Sequence, residues 1–375
     1  MPHAKRIALV YDAIFPYVKG GGERRFYEVA QALAKDGHDV HLYGMKFWDG
    51  PNVITRGGVT LHGLCKARPL YTKSGRRAML QPVIFGLSCF KLFGQRFDVI
   101  DCCGFPYFSI FACRIVTLVK RKPLHATWHE AWGREYWREY LGKLGLVGYT
   151  VERLALRMPN VIIAVSDHTA EGVHKLAGIK RPVHVIENGI HVDHIQSVPA
   201  HVGSTDIVYV GRLTHTKRID MLLKAVAEVA KSRPKVRCLI VGHGPERENL
   251  QQLAIDLGIK HQVTFTDFRE DHDDVIAFMK AGKVFVLPSI REGFGLVAIE
   301  ANAAGVPVIT VDHPANAARK LITGRNGQVT KLESQALASA ITEALDGAYR
   351  AEDCIAAARQ YDWDNIVHKF EEVLL

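Results

Sequence analysis

Short apolar runs alternate with segments of helical spacing along this 375-residue chain, and that alternation limits the possible folds more than any other feature. Ile7–Tyr11 reads as a strand, Glu23–Lys35 as a helix, and Asp39–Tyr43 as a strand after the turn Asp36-Gly37-His38. Asp98–Asp101, His125–Trp128, Val161–Val165 and His184–Ile186 continue the series, each with a helical pattern before or after it. Parallel strands need crossover connections, so the order predicts an open α/β sheet covered on both faces. The periodicity lapses over Gln196–Thr205, which reads as a linker. It restarts with Ile207–Val210, a helix over Arg218–Lys231, Val236–Val241, a helix over Glu246–Leu257, Val263–Phe265, Val284–Leu287 and a strand around Ile309. The expectation is two Rossmann-like domains, 1–196 and 205–358, with the ligand in the cleft between the carboxyl ends of their strands.

The chain has no signal-peptide pattern at its start, where Lys5-Arg6 lead into Ile7-Ala8-Leu9-Val10. The most apolar stretches, Ala78–Gly94 and Phe105–Val119, are interrupted by Gln81, Lys91 and Arg114 and read as buried helices. Seven cysteines without a Cys-x-x-Cys pair point to a reduced, cytoplasmic setting. Net charge is +9 and lies in the first half, where residues 1–195 hold 27 Lys and Arg against 16 Asp and Glu. Lys66, Arg68, Lys73, Arg76, Arg77, Arg114 and Lys120-Arg121-Lys122 make a basic patch that fits an anionic partner or serves as solubilising charge. No nucleic-acid-binding motif accompanies it, so nucleic acid is not expected as a partner.

Candidate chemistry sits at turns between strand and helix. Pro288–Glu300 follows the apolar run Val284–Leu287 and precedes a helical pattern over Leu296–Ala304. Its glycines place backbone N–H groups at a helix start, which favours an anion. Glu292 and Glu300 frame the run; if fully helical, eight residues rise roughly 12 Å, comparable to the span from sugar to ribose in a nucleotide sugar. The bland alternative is a solvated helix face. Gly20-Gly21-Gly22-Glu23 lies between the first strand and first helix and is neither a dinucleotide fingerprint nor a Walker loop. Gly211-Arg212-Leu213-Thr214-His215-Thr216-Lys217 puts two cations at a strand end, suited to a departing diphosphate or to plain surface charge. Gly242-His243-Gly244 is a further glycine turn. His129 closes a strand, where a neutral imidazole can orient a hydroxyl. Asp271-His272-Asp273 and Asp362-Trp363-Asp364 read as helix caps, and no metal is assigned to either.

Together these segments resemble the family 4 glycosyltransferases, which have the GT-B fold and transfer sugars with retention. The likeness is densest at Gly20–Glu23, His129, Ser166, Val185–Ile190, Gly211-Arg212 with Lys217, Gly242–Gly244 and Glu292–Glu300. The resemblance implies that Arg212 and Lys217 hold the donor diphosphate. It implies that Glu292 binds sugar hydroxyls, that Glu300 takes the ribose, and that Phe294, Gly295 and Leu296 offer backbone N–H groups. Gly211 and Gly242 would line the donor site, Gly21 and Gly22 would approach the diphosphate, and His129 would sit near the acceptor. A final helix over 359–375 would cross back to the first domain. The sequence departs from the family at Thr266-Asp267-Phe268, near the base, and at His313–Arg319, which lacks the usual glycine pair and glutamate.

The expected activity is retaining, metal-independent transfer of a hexosyl group from a nucleotide-diphosphate sugar to a hydroxyl acceptor, with no cofactor. The basic first half, and Trp132, Tyr136 and Trp137 close to His129, suggest a glycan or lipid-linked acceptor and peripheral contact with an anionic membrane at its cytoplasmic face. The competing readings are a sugar-nucleotide epimerase of the same fold, told apart by an isomerised donor, and an inactive sugar-nucleotide-binding protein.

Overall fold

The computed structural model describes residues 4–70, 78, 80–178, 182–203, 205–267 and 271–374. Lys73, Arg76 and Arg77 of the basic patch, and Phe268 of the base-side stretch, lie outside the described residues. The chain divides into two units, Met1–Asn188 with Trp363–Leu375, and Gly189–Asp362.

The first unit is built on β1 (Arg6–Val10), β2 (Asp39–Lys46), β3 (Val53–Arg56), β4 (Val59–Lys66), β5 (Val99–Cys103), β6 (Leu124–Trp128), β7 (Val161–Ala164) and β8 (Val183–Val185). They form one sheet in the order β3-β4-β2-β1-β5-β6-β7-β8. All pairs are parallel except the edge hairpin β3–β4. That hairpin escaped the sequence reading because Val53-Ile54-Thr55-Arg56 is mostly exposed and lacks a buried run. One face of the sheet packs on the helices Gly21–Lys35 and Trp363–Leu374 through Phe26, Leu33, Ile366 and Phe370. The other packs on Leu80–Ser88, Phe108–Lys120 and Gly145–Ala155 through Phe85, Ile110, Val116 and Ala155. The two apolar stretches expected to be buried helices are helical only in part buried: Leu80, Leu87, Ile115, Leu118 and Val119 are exposed.

The second unit carries β9 (Ile207–Val210), β10 (Cys238–Val241), β11 (Val263–Thr266), β12 (Val284–Leu287), β13 (Val308–Val311) and β14 (Gly327–Thr330). Their order is β11-β10-β9-β12-β13-β14, parallel throughout. Strand order reverses beside β1 in the first sheet and beside β9 in the second, and such reversals leave a crevice at the carboxyl ends.

Two boundaries differ from expectation. The division falls after Asn188 rather than at 196–205. Residues 189–203 pack on the second unit: the helix Val192–Ser197 buries Ile195, Lys280 Nζ bonds the carbonyls of Gln196 and Val198, and the His201 N–H bonds the Ala277 carbonyl. The lapse in periodicity suggested a linker, but a lysine from another helix satisfies its carbonyls. The return to the first unit begins at Trp363 rather than at 359.

Candidate active site

The second unit gathers most of the expected site residues at the carboxyl ends of β9, β10 and β12. Gly211 directly follows β9 and Gly242 directly follows β10, with φ of 156° and 154°. The strand ends approach so closely that a Cβ on Gly242 would lie 1.9 Å from the Gly211 carbonyl oxygen. Only glycine fits at that crossing. Beneath it, the hydroxyl of buried Tyr209 donates to the Arg212 carbonyl at 3.2 Å. Burial, and then the Glu292 charge, hold Tyr209 neutral by raising its pKa well above the usual phenol range. Arg212 itself is exposed at the strand end. Lys217 closes the short helical turn His215–Lys217, and Arg218 after it adopts φ 51°, clamped by Asp220 at 2.9 and 3.1 Å.

From the next strand comes the partner of Lys217. Glu292 Oε1 accepts from Lys217 Nζ at 2.6 Å, with side-chain exposures of 11% and 23%. Glu292 is not on a helix, which corrects the even helical spacing drawn for the two glutamates. Its N–H bonds the Ala315 carbonyl and its carbonyl accepts from Ala317, so it bridges to Asn316 as a short parallel strand. Asn316 is buried and donates to Thr310 Oγ1 and the Val311 carbonyl at 3.0 and 2.9 Å. The divergent stretch His313–Arg319 therefore fixes the backbone that carries Glu292.

Gly295, at φ 103° and ψ 47°, begins the helix Leu296–Ala303. A Cβ there would meet Ala318 Cβ at 2.5 Å. The first N–H groups of a helix lack intrahelical partners, so Leu296 and its neighbours present donors at this turn. The Phe294 ring is buried against Tyr361, centroids 5.7 Å apart, leaving its backbone at the turn. Glu300, about one turn into this helix, is 3% exposed; His272 Nε2 lies 3.2 Å from its Oε1, at ion-pair distance without hydrogen-bond alignment. Asp271 caps the helix His272–Lys280 by accepting from the Asp273 N–H. Asp362 accepts the N–H of Val192, the first residue of the helix Val192–Ser197. Near the expected base site, Asp267 pairs with Arg247 at 3.0 Å.

The first unit brings Gly21, Gly22 and His129 together. Gly21 and Gly22 open the first helix after β1, and His129 follows β6. A Cβ on Gly22 would lie 3.0 Å from the Tyr11 hydroxyl and 3.4 Å from His129 Nε2. That nitrogen is buried without a partner among the described residues. Burial, and then the nearby Arg25 charge, push the His129 imidazole down to about 3, so it is neutral at pH 7. Asp101 sits below, driven up to about 7 by burial and bonded to Thr127 Oγ1 at 2.9 Å.

Sequence reasoning missed Arg25. Its guanidinium is 2% exposed, bonds the carbonyls of Ile186 and Glu187 and Asn188 Oδ1, and lies 5.9 Å from the Phe370 ring centroid. The signal was available: Arg25, Val29 and Leu33 share one helix stripe, so this arginine occupies an apolar-face position. Tyr209 and Asn316 carried no such signal, because each acts through contacts distant in sequence.

The family model for glycosyltransferase family 4 matches residues 19–194, and that for glycosyl transferases group 1 matches 193–361. An uncharacterized glycosyltransferase of Methanocaldococcus jannaschii is 26% identical over 329 residues, covering 81% of this chain and 80% of its own. The phosphatidyl-myo-inositol mannosyltransferase of Mycobacterium leprae is 27% identical over 380 residues, covering 96% and 95%. The sucrose-phosphate synthase structure from Thermosynechococcus elongatus superposes with a TM-score of 0.81 at 21% identity, covering 98% of both chains. With two Rossmann-like units, a glycine-bounded helix start and matches to both family models, the chain is a family 4 glycosyltransferase of GT-B fold.

Proposed function

We propose that this glycosyltransferase moves a hexosyl group, with retention and without a divalent metal, from a nucleotide-diphosphate sugar to a hydroxyl of a lipid-linked or cell-surface glycan precursor on the cytoplasmic side of a membrane. The observation that carries this reading is the Lys217–Glu292 pair, 2.6 Å across, which joins the ends of β9 and β12 beside the helix start at Leu296. A diphosphate at that helix start meets backbone donors and two cations, Arg212 and Lys217, which supply the charge a metal would otherwise bring. Glu292 and Glu300 are then the acceptors for sugar and ribose hydroxyls.

In the step proposed, the acceptor oxygen bonds to the anomeric carbon on the face from which the phosphate oxygen leaves. The acceptor proton passes to that phosphate oxygen, and Arg212 and Lys217 hold the charge that develops. His129, neutral and with a buried Nε2 that has no partner among the described residues, is the proposed hydrogen-bond partner of a sugar or acceptor hydroxyl and carries no proton between them. The basic first half and the relative named for phosphatidyl-myo-inositol support a lipid-borne acceptor.

A thermal-shift screen of UDP-, GDP- and ADP-sugars identifies the donor, since a ligand that binds only the native state raises its melting point. Nucleotide release that requires an acceptor then separates transfer from epimerisation. Arg212→Ala is expected to cut turnover at least about a hundredfold with folding intact, as loss of a charge-stabilising donor does. Absence of any donor shift, or near-normal turnover in Arg212→Ala, refutes the assignment.

A further inference from the structure

The helical layer over the Phe85 and Ile110 side of the first sheet is apolar on its outer surface as well as its inner one. The helix Phe108–Lys120 buries Ile110, Cys113 and Val116, while Phe108, Ile115, Leu118 and Val119 stand exposed on the other side, Val119 by 68%. Such all-round apolarity belongs to a helix covered on every side. Its neighbours repeat the pattern. Leu80–Ser88 exposes Leu80 and Leu87, two turns apart, and the segment through Gly145–Ala155 exposes Leu144, Val147 and Leu154 in one stripe. The first two helices touch closely, since a Cβ on Gly86 would lie 2.8 Å from Phe108 Cβ, and the third packs beside Phe108–Lys120. Among the described residues of the second unit, by contrast, Val202 and Ile255 are the exposed large apolar side chains, and they are far apart in sequence.

Charge on these three helices is mostly positive, with Asp98 paired to Lys122 and exposed Glu135 and Glu139 on the adjoining helix Gly133–Leu141. Segments 80–97, 108–122 and 142–157 contain nine Lys and Arg and a single carboxylate, Glu152. Glu152 is fully buried, accepting from the N–H groups of Trp132 and Gly133 and the Trp137 indole. Arg96, Arg121 and Lys143 are exposed at the ends of its elements. A second copy of the same three segments would set mostly cations against cations, nine Lys and Arg against the buried Glu152. An anionic lipid surface supplies both missing complements, apolar depth and negative charge. No helix among the described residues is long and apolar enough to cross a membrane, so the layer can lie on a bilayer but not span it.

We infer that the outer surface of these three helices is a docking face for an anionic lipid bilayer, seated through Leu87, Leu118, Val119 and Val147. This deepens the proposed lipid-borne acceptor, and rests on that reading only for its purpose, because docking needs no donor. The test is flotation of the full chain, without nucleotide, on vesicles of phosphatidylcholine with roughly 30 mol% phosphatidylglycerol and on phosphatidylcholine alone. The variants are Leu118→Glu with Val119→Glu, and Ile255→Glu in the second unit as control. Wild type and the control are expected to float with anionic vesicles, and partitioning should fall at least about tenfold on neutral vesicles or in the double variant. Melting temperature and nucleotide-sugar shifts should be unchanged. Docking is overturned if wild type stays unbound, if the double variant floats equally well, or if light scattering shows a dimer that the double variant dissolves. Failure of the nucleotide-sugar screen alone would sink the transferase chemistry and leave docking standing.

Discussion

Replacing Glu292 by glutamine should move nucleotide binding and sugar transfer in opposite directions. Lys217 Nζ sits 2.6 Å from Glu292 Oε1, and both side chains are largely shielded from solvent. A diphosphate arriving at the helix start must share Lys217 with a carboxylate of its own sign. For unit charges about 6 Å apart, an effective dielectric of about 20 to 40 gives a repulsion of about 1.5 to 3 kcal/mol. The partial exposure of the pair favours the low end, so removing the carboxylate charge should tighten a free nucleoside diphosphate about tenfold. Glutamine still accepts a hydrogen bond from Lys217, so the backbone held by Ala315 and Ala317 should stay in place. Transfer should instead fall about 10- to 100-fold, because a charge-assisted bond to a sugar hydroxyl is worth about 1.5 to 3 kcal/mol. Calorimetric titration of the diphosphate and steady-state transfer measure the two halves separately. Weaker nucleotide binding in Glu292→Gln, or unchanged turnover, would refute the argument that the pair divides its work between phosphate and sugar.

Three further outcomes follow from geometry. Gly295→Ala forces a side chain into φ 103° and against Ala318; urea melts should show a loss of about 2 to 3 kcal/mol, and wild-type stability would count against this turn being strained. Arg25→Met leaves the buried carbonyls of Ile186 and Glu187 and the Asn188 side chain short of a donor; a loss of about 3 kcal/mol is expected, and a change under about 1 kcal/mol would mean water replaces the guanidinium. Stability should also fall as pH drops from about 6.5 towards 4. His62, His125 and His129, pushed down to about 4, 4 and 3, stay neutral in the native state while the unfolded chain takes up protons. Asp101, raised to about 7, and Glu152, raised by burial, run the other way by keeping protons the unfolded chain has released, but they are two groups against three. His129→Gln should flatten the slope near pH 5 by about 1.4 kcal/mol per pH unit, and an unchanged slope would mean its imidazole titrates alike in both states.

The parallel strands were legible because each is buried on both faces and reads as an unbroken apolar run, as Val284–Leu287 and Ile207–Val210 do. The hairpin β3–β4 was not, since an exposed edge strand has no such run to read. Within the site, Gly211, Gly242 and Gly295 announced themselves by residue type, because contacts below 3 Å for an added Cβ leave no alternative to glycine. The Lys217–Glu292 pair could be suspected from strand-end placement, but its members are far apart in sequence and only the β9–β12 adjacency makes them neighbours. The His272–Glu300 approach and the Asn316 brace depend on packing between elements, and residue type alone does not reveal them.

Arg25 shows how the first unit ties its site to the path of its chain. The chain leaves this unit after Asn188 and returns at Trp363. The Arg25 guanidinium bonds residues 186–188 on the outgoing side and lies over Phe370 on the returning helix. One turn earlier, the same helix begins with Gly21 and Gly22, the second of them against His129. The arginine charge also helps keep that imidazole neutral. A lysine would supply the charge but not the planar fork that reaches two carbonyls and an amide at once. A charged side chain on an apolar stripe is therefore retained here by what it holds together. The outgoing residues 186–188 and the returning helix at Phe370 meet on a single buried guanidinium.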